Sequence, residues 1–209
     1  MSGLEALMTA RHLTVRQQLE MLELLTGWET KNKYIIYNEL GQAVFYAIED
    51  TSELAICCFG KNRPFCIRVF NMQRRQVILL NANINCCTQE VRVQEPEGNE
   101  IAIIHKECAL CVPSFEIRDK QNAIMFKIES PLAALCDCCS DVQFKILAAD
   151  QKTVIGKIAK RYSGFVQETF TDADTFGLSM PADMDVKWKA VLLAALFHID
   201  FAFFESNPK

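Results

Sequence analysis

Asp172, Asp174 and Asp183 stand at positions one, three and twelve of a twelve-residue stretch, with Gly177 at position six. That is the spacing at which an EF-hand-like loop gathers carboxylates around calcium, a cation that takes six to eight oxygen ligands. Positions five and seven are Phe176 and Leu178, so only their backbone oxygens could contribute. An Asp at position twelve also reaches less well than a bidentate Glu, and no EF-hand helix pair flanks the stretch. The expectation is a weak calcium site, with a dissociation constant of about 10⁻⁴ to 10⁻³ M. The competing reading is a hairpin turn followed by a helix N-cap at Asp183 or Asp185.

The chain carries 10 cysteines. No start-of-chain segment has the form of a secretory signal, so the reading is cytosolic and a disulfide framework is not expected. Cys108, Cys111, Cys136, Cys138 and Cys139 invite a zinc reading, but no histidine spacing matches it. Cys57-Cys58 and Cys86-Cys87 fall in connections where a lipid chain could be attached. Acylation is therefore one reading of Cys86 and Cys87, although a single chain holds a membrane only marginally. Reduced structural thiols are the plain alternative.

Lys157, Lys160 and Arg161 form a basic cluster, either a solvated strand and turn or a contact for anionic lipid headgroups. His198 and Asp200 are two apart, so on a helix they do not face each other. If buried, each needs a partner, and a satisfied core pair is the simpler reading than catalysis. No Ser-His-Asp set, Walker loop or dinucleotide fingerprint is present, so no catalytic residue is expected. A net charge of −4 gives no sign of a nucleic-acid partner.

The elements that must position these residues read as mostly β. From Lys33 onward apolar residues alternate with a period of two, in short paired runs separated by polar turns. The pairs are Tyr34–Tyr37 with Ala43–Ile48, Phe65–Val69 with Gln76–Leu80, and Glu90–Val93 with Glu100–His105. Ser114–Arg118 pairs with Ala123–Ile128, and Val142–Leu147 with Thr153–Ile158. The sixth pair is Gly164–Phe170 with Phe176–Met180. Six hairpins make about twelve strands, and closing them into a barrel would remove exposed edges. Thr14–Thr26 reads instead as a short amphipathic helix, with Val15, Leu19 and Leu22 on one side and Gly27 as its stop. That helix packs on the domain or lies on a membrane surface.

The last apolar run, Ala190 to Phe204, is about 15 residues long, roughly 22 Å as a helix. A bilayer core is about 30 Å thick and wants about 20 residues. About nine strongly apolar residues contribute about −4 kcal/mol to insertion, while Asp200 near the centre costs about +3 kcal/mol. A spanning helix is thus marginal. A helix apolar on nearly all sides suits a protein core, and a twelve-stranded barrel has room for one. Ala190, Leu193, Phe197, His198, Asp200 and Phe204 are accordingly expected on a central helix over residues 185–205. A membrane anchor is the alternative.

With these elements in place, the chain resembles the phospholipid scramblase family. The marking stretches are Gln17–Gly27, Asn32-Lys-Tyr34, Gly41-Gln42, Glu49-Asp50, Arg63-Pro-Phe65 and Gly156-Lys-Ile158. Phe170–Gly177, Asp183–Lys187 and Ile199–Glu205 complete them. The resemblance covers residues 13–205 as one domain, leaving 1–12 and 206–209 as tails. It implies a Tubby-like twelve-stranded barrel around a hydrophobic C-terminal helix. It also implies calcium-triggered, ATP-independent, bidirectional movement of phospholipids between leaflets, or a lipid-binding and signalling role without transport. Phospholipid membranes are the implied partner, met at the cytosolic face, with a plasma-membrane location expected and a cytosolic or nuclear pool as the alternative, since the stretch with Lys157, Lys160 and Arg161 resembles a nuclear-import signal of the family. About a dozen residues precede the first expected helix, so the SH3 or WW partners that a Pro-rich extension recruits in many members are not expected. The cysteine run before the third hairpin is reduced to Cys86-Cys87.

Overall fold

A computed structural model describes residues 3–18, 32–50, 64–84, 89–107, 113–135, 142–161 and 175–204. Twelve strands run β1 (His12–Gln17), β2 (Lys33–Tyr37), β3 (Ala43–Glu49), β4 (Phe65–Asn71), β5 (Gln76–Ile84) and β6 (Gln89–Gln94), then β7 (Glu100–Glu107), β8 (Ser114–Arg118), β9 (Ile124–Glu129), β10 (Val142–Leu147), β11 (Val154–Arg161) and β12 (Thr175–Ser179). Each pairs antiparallel with its sequence neighbours, and β1 also pairs with β12, so the sheet closes into a barrel. Closure leaves none of the twelve described strands at an open edge of the sheet.

The period-two pattern explains the wall. Val91 and Val93, Phe115 and Ile117, and Phe144 and Ile146 are buried inside, while Arg92, Lys145 and Gln143 between such residues face out. Five of the six expected hairpins are present with nearly the expected limits; in the sixth, the strand expected over Phe176–Met180 is β12, and its two flanks are taken by β11 and β1. Their turns share one construction. Gly41, Arg74, Gly98, Asn122 and Gln151 all have positive φ, and the strand register shifts beside each turn, at Ile36/Tyr37, Val69/Phe70, Val93/Gln94, Ile117/Arg118 and Ile146/Leu147. A left-handed residue leading into a bulge is a standard way to close a longer hairpin. Asn38, Asn71 and Asp119 lock their turns by accepting two backbone N–H groups each, at 2.9 to 3.1 Å.

All five turns lie at one end of the barrel, the turn end. Gly156 shows how closely the backbones approach there: a Cβ on it would stand 2.2 Å from the Ser179 carbonyl oxygen. The connections β1–β2, β3–β4, β5–β6, β7–β8, β9–β10 and β11–β12 leave from the opposite end.

Two expectations change. The helix expected over Thr14–Thr26 does not begin there, because His12–Gln17 is strand β1, with Leu13 and Val15 buried and Arg16 exposed. Val15 fits both periods, and the open flanks of β2 and β12 decide between them: β1 satisfies both ladders at once. The remainder of that helix, residues 19–26, and the expected strand Gly164–Phe170 lie outside the described residues. The first residues are also no loose tail. A short 3₁₀ turn, Glu5–Leu7, puts Leu4, Leu7 and Ala10 into the core.

Candidate functional site: the enclosed helix and its exit

The chain re-enters the barrel from the turn end. Asp185 caps α1 (Val186–Ile199), its side chain accepting the Lys187 N–H at 2.8 Å. Every residue from Lys189 to Ile199 is buried. Ala190, Leu193 and Phe197 share one face of the helix, and Val191, Leu192, Ala194, Ala195 and Leu196 on its other faces are buried as well, which is why the apolar pattern shows no preferred face. At about 1.5 Å per residue α1 is about 21 Å long, and no helix among the described residues is long and apolar enough to cross a membrane.

One charge lies buried in the helix near its start. The Lys189 ammonium donates to the backbone carbonyls of Met8 (3.0 Å), Ala10 (2.9 Å) and Ala182 (2.8 Å). Burial pushes its pKa below the ordinary lysine value, against the pull of Asp183. This ammonium ties the N-terminal segment and the β12–α1 connection to the helix. The sequence reading missed it, since a lysine in the first turn of a helix normally reads as exposed.

At the other end the helix widens into a π-helical segment, Asp200–Phe204. His198 is fully buried, packed edge-on against Phe115 at 5.0 Å and near Phe65 at 6.3 Å. Desolvation, helped by the charges of Lys106 and His105, lowers its pKa to about 3, so the imidazole is neutral. Asp200 accepts the Tyr34 hydroxyl at 2.7 Å. His198 and Asp200 thus contact different partners, as their spacing requires.

Close to Tyr34 a second buried polar chain lines the mouth. Gln17 Nε2 donates to Asn32 Oδ1 at 2.7 Å, and Asn32 Nδ2 donates to the Glu49 carboxylate at 2.6 Å. Residue-by-residue reasoning took Gln17 as a helix-capping partner of Thr14 and did not single out Asn32, Tyr34 or Glu49. A signal existed, for all four stand in stretches that carry the family resemblance.

Phe203 and Phe204 occupy the exit, half-buried against Phe144 and Phe176, with ring centroids 5.3 and 5.7 Å apart respectively. Lys160 Nζ sits 4.2 Å from the Phe204 centroid and 5.5 Å from that of Phe176. The basic cluster is therefore divided. Lys160 leans inward over the aromatic mouth, whereas Lys157 is exposed on the outer face and reaches Gln143. Three residues apart in a strand means opposite faces. Arg161 ends β11.

The calcium loop is not built as its spacing implied. Phe176 and Leu178 lie in β12, side chains buried and backbone between two ladders. A strand of five residues separates Thr175 from Ser179 by about 14 Å. Asp183 therefore stands beyond the turn-end edge of β12 instead of folding back, since an extended, paired backbone cannot curl around an ion. Asp172 and Asp174 lie outside the described residues, as do Cys86, Cys87 and the cysteines of the zinc reading. Among the described residues no group of three or more His, Cys, Asp or Glu side chains could hold a metal.

Comparison with known proteins agrees with this architecture. Residues 1–206 match the family model described as Scramblase. The chain is 43% identical over 210 residues to phospholipid scramblase 1 of Mus musculus, covering 97% of this chain and 64% of that protein. It is 42% identical over 212 residues to phospholipid scramblase 1 of Homo sapiens, covering 98% and 66%. It thus spans about two thirds of the length of these relatives. A solved structure of a protein from Arabidopsis thaliana superposes with a TM-score of 0.50 at 9% identity, covering 92% of this chain and 94% of that one, a likeness of fold alone. By the family match over nearly its full length, this chain belongs to the scramblase family.

Proposed function

We propose that this chain facilitates the movement of phospholipids between membrane leaflets, bidirectionally, without ATP and in response to calcium. The observation that carries the reading is identity of 31–43% over nearly the whole chain to proteins named phospholipid scramblases. It is a transport-type activity, not a catalysed bond change. The enclosed helix adds a constraint: with α1 inside the barrel, the chain meets a membrane from its surface. The calcium response rests on Asp172 and Asp174, without Asp183.

A second reading is a lipid-binding adaptor with no transport of its own. It is favoured by the burial of α1 from Lys189 to Ile199, because the described residues offer no polar route for a headgroup through a bilayer.

Reconstitution into liposomes bearing fluorescent lipids separates the two. Calcium-dependent leaflet exchange that is lost in D172A/D174A is the result expected from the first reading. Vesicle binding without exchange, at any calcium level, would leave the adaptor as the function.

A further inference from the structure

The five tight turns at the turn end share a backbone construction but not the chemistry of their tips. Each places a left-handed residue before the return strand. Yet the tips read Glu39-Leu40, Met72-Gln73, Pro96-Glu97, Lys120-Gln121 and Ala149-Asp150. Turn geometry asks for no large aliphatic side chain at these positions, as the last three turns demonstrate. Leu40 is nevertheless 80% exposed and Met72 50% exposed.

These two turns are neighbours on the rim, since β2–β3 adjoins β4–β5 in the barrel order. The N-terminal segment runs between them. Gly3 lies against Val77 and Asn71 beside the β4–β5 turn. At its other end, Arg11 and His12 donate their N–H groups to Glu39 of the β2–β3 turn, at 2.8 and 3.0 Å. On this segment Met8 is 60% exposed, although its carbonyl is anchored by Lys189. Three large apolar side chains thus project from one sector on rigid supports.

The charges divide the same rim. The apolar sector carries exposed Arg11, Arg74 and Arg75. Within the N-terminal segment and its two turns the carboxylates are Glu5 and Glu39, which accept the backbone N–H groups of Gly3, Arg11 and His12 and feel the charges of Arg75 and Arg11; exposed Asp183 and Asp185 of the β12–α1 connection stand at the same end. The remaining turns hold Glu95, Glu97, Asp119 and Asp150 against Lys120 and Lys152. Apolar tips among arginines on one side, with acidic residues on the other, complement an anionic interface approached at a tilt.

We propose that this sector of the turn end docks on an anionic phospholipid bilayer, with Met8, Leu40 and Met72 inserting and Arg11, Arg74 and Arg75 contacting headgroups. The proposal rests on the membrane reading above and gives it an orientation: the turn end faces the lipid, and the α1 exit faces away.

Flotation of the full chain with phosphatidylcholine vesicles, with and without phosphatidylserine, tests it. Wild type floats with the phosphatidylserine vesicles. L40N and M72N each lower the partition coefficient about tenfold, and R74Q/R75Q lowers it on phosphatidylserine vesicles alone. Val154 is 57% exposed on the acidic side of the rim, so V154N leaves binding unchanged. L40W adds a site-specific readout, a blue-shifted emission on phosphatidylserine vesicles. Absence of wild-type flotation, indifference to L40N and M72N, or an equal loss in V154N would overturn the docking surface. Exchange assays on detergent-reconstituted chain keep the two readings apart. Wild type that docks but does not exchange lipids removes transport only, and wild type that exchanges lipids while L40N/M72N floats undiminished removes the docking surface only.

Discussion

The two ends of the barrel solve opposite problems. At the turn end five short hairpins and the N-terminal segment meet the start of α1, and its buried ammonium is satisfied by three main-chain carbonyls. Backbone approaches are close enough there to require Gly156. At the exit end the contacts are made by side chains: a neutral histidine among phenylalanines, a tyrosine–aspartate pair, and a lysine over aromatic rings. Backbone contacts tolerate little change, while side-chain contacts can be lost one at a time. The turn end should therefore behave as the rigid part of the molecule and the exit end as the adjustable one.

The largest effect is expected from Gly156→Val. Its side chain has no room before the Ser179 carbonyl, and the cost of about 3 kcal/mol or more should leave little folded protein. Thermal unfolding measures it, and a melting temperature close to that of wild type would mean that the turn end is not the rigid part of the molecule.

Acid should act at the exit end. His198 binds a proton in the unfolded chain below about pH 6.5, but in the folded chain only near pH 3. The unfolded state therefore holds more protons between these values, and stability falls as pH falls through that window, by about 1.4 kcal/mol per pH unit. From pH 6.5 to 4.5 the loss is on the order of 2–3 kcal/mol. Urea titrations at several pH values should show this slope in wild type and lack it in His198→Leu; an identical slope in both would assign it elsewhere.

Lys189→Met keeps the aliphatic stem but leaves three carbonyls without their donor. A loss of about 2 kcal/mol is expected, together with faster hydrogen exchange in residues 3–11. Exchange unchanged in that segment would mean that the ammonium is not what holds it. The smallest effect belongs to Lys160→Met at the mouth, about 0.5 kcal/mol for the contact over Phe204, read in the same denaturant titration. A loss as large as that of Lys189→Met would erase the distinction between the two ends.

Much of this architecture was legible in the residues. Turn chemistry at Asn38–Gly41, Glu95–Asn99 and Asp119–Asn122 marks hairpins, because a left-handed position and an Asx cap are local requirements. The apolar run from Ala190 reads as an enclosed helix because no polar face is left to meet water. The candidate site was less legible. Asp172, Asp174 and Asp183 have the spacing of a loop, but Phe176 and Leu178 have the alternation of a strand, and pairing with β1 and β11 decides in favour of the strand. Lys157 and Lys160 are close in sequence and divided in space, since period two sends them to opposite faces.

What the sequence determined by itself was the set of local units: the hairpins, their turns, and a helix too uniformly apolar for a surface. Tertiary structure alone decided what these units enclose. It turned His12–Gln17 into the closing strand because two open edges needed a partner. It brought Lys189 to the carbonyls of Met8 and Ala10, which are 181 and 179 residues away in the chain. It set Tyr34 against Asp200 across 166 residues. The physical reason is common to all three: hydrogen-bonding groups left open by local structure must be satisfied, and the partners that satisfy them are distant in sequence.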